Sequence, residues 1–287
     1  MPIAAIAFDF DPLFRLGDGL SVRWATIALA VAILVCLGAA GTAARRAGMR
    51  ADDLLYCVVG AVPGAVIGGR IGYLLLVPDA FRAGPLSLAD PTTGGLELGL
   101  GVVGGLLTAA LVAVVLGAPI RRWAHLLAVV VLGAIAGGKL TMALGGSGQG
   151  ASTDVSWATA YVGPGPWGSL APALASHPSQ LYEAAATVIV ALVVIAATAT
   201  GAFRARDGSR LLLAIAGWAL ARAAVSVTWR DPAVIGPLPI GGVLAVGIAV
   251  GMIGMLVATT IWLPRPRPPA AVDAGPDWPE LDDRSRF

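Results

Sequence analysis

The sequence predicts an all-α, polytopic membrane protein with seven transmembrane helices and a small extracytoplasmic lid. Three observations carry that expectation. Hydrophobic residues make up 57% of the 287 and charged residues only 13%, against about 25% charged in soluble domains. The mean hydropathy is +0.82. Seven apolar runs come close to the roughly 20 residues that a helix needs to cross a hydrocarbon core. The 38 Gly and 20 Pro lie inside those runs without a Gly-x-y period, which excludes collagen and low-complexity disorder.

The seven runs fall at about 24–44, 54–77, 95–117, 124–144, 180–202, 211–229 and 241–262. Ahead of the first, Asp9 and Asp11 stand where a secretory signal would carry basic residues, so this run is expected to persist as a span. An odd count puts the termini on opposite sides. Arginines collect in alternate connections: Arg45, Arg46 and Arg50; Arg121 and Arg122; Arg204, Arg206 and Arg210; then Arg265, Arg267, Arg284 and Arg286. The intervening connections hold Arg82 alone, none from Gly145 to Ser179, and Arg230 alone. Because Lys and Arg mark the cytoplasmic side, the N-terminus is expected outside and the C-terminus in the cytoplasm.

Residues 1–263 then form one seven-span membrane domain. Within it, 145–179 is an extracytoplasmic loop whose Trp157, Tyr161 and Trp167 suit a lid at the headgroup layer. The Pro- and charge-rich segment 264–287 is expected to be a disordered cytoplasmic tail. No basic stripe suggests nucleic acid. Cys36 and Cys57 sit in apolar runs without metal-ligand spacing, so packing is their expected role and no metal site is expected.

Five ionisable residues fall within the runs: Arg70, Glu97, Lys139, Glu183 and Arg222. Each costs about 2.5–3.5 kcal/mol near a bilayer centre and so needs a partner, a wet cavity or a function. Two readings stay open. In one, Arg70, Lys139 and Arg222 converge on an anionic ligand such as a phospholipid phosphate. In the other, Glu97 and Glu183 neutralise two of the cations and the third snorkels to the interface. On the second run, Gly64, Gly68 and Gly72 line one face and would let another backbone approach closely.

The segment HPSQLYEA, His177 to Ala184, resembles the most distinctive signature of the prolipoprotein diacylglyceryl transferase family. VRW at Val22–Trp24 is similar to that family's RWYG, and PGAVIGGRIGY at Pro63–Tyr73 to its Gly-x-Arg-x-Gly-Tyr stretch. GGLELGLGVVGG from Gly94 resembles its GGLSxHGG, and GGKLTMALGGSGQG from Gly137 its GRxGNFxNxExxG. SWATAY from Ser156 matches its PWA segment, and Arg222 with Arg230-Asp231 its arginine-rich ending. The resemblance covers residues 5 to about 262.

It implies transfer of a diacylglyceryl group from phosphatidylglycerol to the lipobox cysteine of a preprolipoprotein signal peptide, with no metal or soluble cofactor. It also implies that Arg222 and Lys139 act catalytically, and that Arg70, Lys139, Arg222, Arg230 and Glu183 bind phospholipid. His177, Pro178, Gln180 and Tyr182 are then signature residues. The chain departs from the pattern at Gly99, where the family has its catalytic histidine, and at Lys139, where it has arginine. Ala25, Met142, Trp218 and Ser226 are further departures. Lysine keeps the charge but loses the bidentate fork. If Glu97 is helical, it lies about 200° around the axis from Gly99 and cannot stand in for the histidine. An imidazole introduced at Gly99 together with Lys139→Arg is expected to raise activity if the space is open. The alternative reading is a catalytically impaired paralogue that binds anionic phospholipid or lipoprotein precursor without acylating it. A transporter is disfavoured because no internal repeat is visible.

Overall fold

The computed structural model describes residues 6–17, 19–81, 94–203 and 207–262. The 264–287 tail and Arg82, Arg204 and Arg206 lie outside the described residues. Seven helices among them are long and apolar enough to cross a membrane. They are α1 (Trp24–Arg46), α2 (Ala51–Leu76), α3 (Leu98–Val115), α4 (Ile120–Leu144), α5 (Ser179–Ala199), α6 (Ser209–Ser226) and α7 (Ile240–Trp262). Trp24 opens α1 as the first apolar run implied. Large aliphatic residues such as Leu34, Leu107 and Ile189 face outward, as a lipid-solvated bundle requires.

The interior is finer-grained. Leu132 of α4, Ile215 and Trp218 of α6 and Ala249 of α7 are fully buried in one cluster. The α2–α3 contact is made by glycine, as the four-residue spacing implied. A Cβ at Gly64 would collide with the Thr108 side chain and the Gly104 carbonyl, and one at Gly68 with the Leu100 carbonyl. Where no side chain intervenes, the two backbones touch and dispersion replaces the missing hydrophobic drive between helices in lipid.

Among the described residues six short strands decorate one end of the bundle: β1 (Ile6–Phe8), β2 (Leu13–Leu16), β3 (Leu20–Arg23), β4 (Thr159–Tyr161), β5 (Ala233–Ile235) and β6 (Leu238–Pro239). β1 pairs in parallel with β4, Ile6 opposite Thr159 and Phe8 opposite Tyr161. The N-terminal arm is therefore stitched to the 145–178 segment. Phe8 stacks on Tyr161, with ring centroids 4.9 Å apart, and Trp167 packs on Tyr161 at 4.9 Å. Tyr161 and Trp167, read from the sequence as interfacial, thus build a small core for the loop itself, whereas Trp157 stays exposed. We call this end the loop face.

Helix ends shift by up to four residues from the apolar runs, as α4 does in starting at Ile120, and two of these shifts bear on the site. α3 begins at Leu98 rather than 95, because Glu97 is its N-cap with extended backbone (φ −83°, ψ 130°). α6 stops at Ser226, and the next residues turn to meet the loop. Hydrophobicity alone marks neither change.

Candidate active site

Four charged side chains meet one to two turns below the loop face, three from α4, α5 and α6 and the fourth from the residue that caps α3. Arg222 of α6 donates from one guanidinium nitrogen to Glu97 Oε1 at 3.0 Å and from the other to Glu183 Oε1 at 2.7 Å. Lys139 Nζ of α4 lies 2.9 Å from Glu183 Oε2. Glu183, 1% exposed, thus bridges both cations. The sequence left two readings of the buried charge, and the structure supplies the counter-charges from within the protein for Lys139 and Arg222.

Local periodicity explains how the residues reach one point. On α5, Gln180, Glu183, Ala184 and Thr187 are buried at spacings of three and four, the inward face of a helix. On α6 the buried stripe is Trp218, Ala219, Arg222, Ala223 and Ser226. Arg222 also stands 4.6 Å from the Trp229 ring centroid and 6.0 Å from that of Trp218. Such rings attract the guanidinium through their quadrupole. Its Nε is buried without an acceptor among the described residues.

Glu97 enters differently. Its carboxylate folds back to accept the backbone N–H of Gly99 at 2.6 Å and of Leu100 at 2.7 Å, satisfying two orphan donors of α3. Its own N–H donates to the Gly69 carbonyl of α2 at 2.9 Å. A Cβ at Gly72 would lie 2.6 Å from Glu97 Cβ, so α2 leaves room for this capping residue. Glu97 therefore does not lie 200° around a helix axis from Gly99 as expected, because it stands outside the helix. A Cβ at Gly99 would lie 3.0 Å from Glu97 Oε1 and 2.9 Å from Ile248 Cδ1. The carboxylate of residue 97 fills the space beside position 99, so the condition of open space is not met and an imidazole there would have to displace it. An acidic residue directly before an apolar Gly-rich helix was the signal for this cap.

Arg70 of α2 reaches toward the same region, donating to the Gly95 carbonyl at 3.4 Å, two residues from Glu97. Arg230 turns to the loop instead. It donates to the Gly150 carbonyl at 2.7 Å and to Ser176 Oγ at 3.1 Å, with Ser169 Oγ at 3.4 Å. A Cβ at Gly150 would collide with Ser179 Oγ and the Thr228 carbonyl, so glycine permits this knot between loop, α5 and the end of α6.

The signature residues form the joint between loop and α5. Pro178 occupies the N-cap position of α5, and the His177 carbonyl accepts the Gly150 and Ser179 N–H groups. Gln180 donates to the Tyr161 hydroxyl at 3.1 Å, which donates to the Ala143 carbonyl at 2.8 Å. Burial pushes the Tyr161 phenol above its ordinary value, which keeps it a neutral donor. Tyr182 Oη accepts from Trp157 Nε1 at 2.6 Å and lies 3.4 Å from His177 Nδ1. Trp157 and Tyr161, read in the sequence as headgroup-layer aromatics, and Ser179, within HPSQLYEA, belong to this scaffold, as does Thr228, which carried no signal in the sequence. Among the described residues no cluster of His, Cys, Asp or Glu could hold a metal.

Residues 12–258 match the family model described as prolipoprotein diacylglyceryl transferase. Proteins similar to this chain carry the name phosphatidylglycerol–prolipoprotein diacylglyceryl transferase. One from Rhizobium leguminosarum bv. trifolii is 30% identical over 240 residues, 78% of this chain and 80% of its own length. One from Gluconacetobacter diazotrophicus is 29% identical over 281 residues, 93% and 96% of the two chains. One from Vibrio cholerae is 32% identical over 203 residues, 68% and 71%.

Proposed function

The chain belongs to the prolipoprotein diacylglyceryl transferase family, and on that premise we propose that it transfers a diacylglyceryl group from phosphatidylglycerol to the lipobox cysteine of preprolipoproteins. The observation that carries the reading is the buried Glu97–Arg222–Glu183–Lys139 network beneath an ordered loop. In the reaction the cysteine sulfur bonds to the glyceryl carbon as the carbon–oxygen bond to phosphate breaks. The electron pair leaves on the phosphate as glycerol phosphate, and the thiol proton is lost to solvent.

Such a reaction needs fixed cations where negative charge develops, already oriented so that no reorganisation is required at the moment of bond cleavage. Glu183 holds Lys139 and Arg222 side by side through its two oxygens, and Glu97 holds Arg222 from the α3 terminus. Lys139, with 12% of its side chain exposed against 6% for Arg222, is the cation most open to a phosphate. We assign Lys139 and Arg222 to the leaving phosphate, Arg70 to the lipid headgroup, and Glu183 and Arg230 to positioning. Glu97 already accepts three hydrogen bonds, which suits a positioning residue rather than a base. A cysteine thiol is a few per cent thiolate at pH 7 and strongly nucleophilic, so attack without a side-chain base is chemically sound.

Family membership across most of the chain favours transfer over lipid binding without acylation. The arginine-rich connections at the opposite face favour a bundle in the bacterial inner membrane with the loop face outside, where signal peptides emerge. The test is a lipobox peptide incubated with the full chain and phosphatidylglycerol in proteoliposomes. A peptide heavier by one thioether-linked diacylglyceryl group, with glycerol phosphate released in equal amount, is the expected result. Unmodified peptide throughout would reject the reading.

A further inference from the structure

At the face opposite the loop, a cavity of about 860 Å³ opens between α1, α4 and the start of α6. Its size falls in the range of about 300–1,000 Å³ usual for small-molecule sites. Arg46, Arg122, Arg210 and His125 line it, against an aliphatic wall that includes Ala43 and Val129. It is separate from the charge network: Lys139 stands 17 residues along α4 from Arg122, about 25 Å at 1.5 Å per residue.

Among the described residues none of these arginines pairs with a carboxylate. Arg122 donates to the Ala47 carbonyl at 3.0 Å and Arg210 to the His125 carbonyl at 3.3 Å. Arg210 Nε is buried without an acceptor among the described residues. Asp207, the acid that acts electrostatically on His125, accepts the Ser209 N–H at 3.0 Å. Three guanidinium groups on one cavity repel one another unless an anion lies between them. A preference for arginine at one membrane face accounts for basic loops, but not for three arginines turned onto a single apolar-walled space.

We propose that this cavity binds the phosphate headgroup of an anionic phospholipid in the leaflet next to the face opposite the loop. The arginines take the phosphate oxygens, and the aliphatic wall of α1 and α4 takes the first acyl carbons. Basic pockets between helices at a membrane boundary recognise headgroups in this way. A free phosphate would use the same arginines but leave the wall unused.

The test is native mass spectrometry of the full chain in detergent with added dimyristoylphosphatidylglycerol or dimyristoylphosphatidylcholine. Arg122→Gln/Arg210→Gln should retain one fewer phosphatidylglycerol than the unmodified chain, with affinity lowered about tenfold or more. Arg46→Gln, at an exposed helix end where folding is not at stake, should shift binding in the same direction. Phosphatidylcholine retention should be equal in all three proteins, and millimolar inorganic phosphate should not displace the lipid. Unchanged phosphatidylglycerol retention in Arg46→Gln and in the folded double variant overturns the proposal. So does displacement by phosphate alone, which would make this a soluble-anion site, and so does a parallel loss of phosphatidylcholine.

Discussion

Glu97 Oε1 lies 3.0 Å from an Arg222 guanidinium nitrogen and 2.6 Å from the backbone nitrogen of Gly99. One carboxylate therefore fixes a buried cation of α6 to the first turn of α3. Removing it both uncaps a helix and leaves Arg222 with Glu183 alone. Breaking one side of a buried pair costs about 3–5 kcal/mol. Glu97→Ala should destabilise the protein on that scale in a detergent-based unfolding titration, and Glu97→Gln, which keeps hydrogen-bonding capacity, by distinctly less.

Position 99 is coupled to position 97 through space. Gly99→His alone must displace the Glu97 carboxylate from Gly99 N and Arg222, so stability and transferase activity should both fall. In Glu97→Ser/Gly99→His, which restores the family's pattern at both positions, the second change should recover much of the loss. A double-mutant cycle on unfolding free energy checks this, with a coupling of about 0.5–3 kcal/mol expected for contacting residues. Additive effects would mean that the carboxylate does not occupy the space.

Arg230 ties the loop to the end of α6 through the Gly150 carbonyl and Ser176 Oγ. Hydrogen bonds from a charged donor contribute about 1.5–3 kcal/mol. Arg230→Ala should raise amide hydrogen exchange across 150–177 by about tenfold or more while leaving α3 and α4 unchanged. Faster exchange in those helices as well would make Arg230 a bundle residue rather than a loop clamp.

The orientation read from the arginines has its own check. After Cys36 and Cys57 are replaced by Ala, a membrane-impermeant maleimide should label Leu170→Cys in whole cells and leave Arg121→Cys unlabelled. Both positions are exposed, at opposite faces of the bundle. The reversed pattern would invert the topology.

Long-range features were legible in the sequence where a single physical rule governs them. The seven apolar runs found all seven helices, and Gly64, Gly68 and Gly72 gave the close approach of α2 to α3, because hydropathy and small-residue spacing act locally. The charged residues Glu97, Lys139, Glu183 and Arg222 could be named, but not who pairs with whom, since that depends on which turns of four helices share a level. The capping role of Glu97 escaped because a hydrophobic run does not show where helical backbone begins. Arg230, expected to bind phospholipid, donates to the Gly150 carbonyl and to the Ser176 and Ser169 hydroxyls, and such a bond to backbone leaves no trace in side-chain pattern.

In the proposed reaction Arg222, held between two glutamates, stabilises the phosphate that leaves. The rate of diacylglyceryl transfer to a lipobox peptide in proteoliposomes reads this out, comparing the unmodified chain with Arg222→Ala and Arg222→Lys. Losing one preorganised donor at a developing charge costs about 10²–10³ in kcat. Arg222→Ala should fall by at least that factor, and Arg222→Lys, which keeps the charge without the fork, by less. Transfer by Arg222→Ala at the unmodified rate, or no transfer by the unmodified chain, would contradict it.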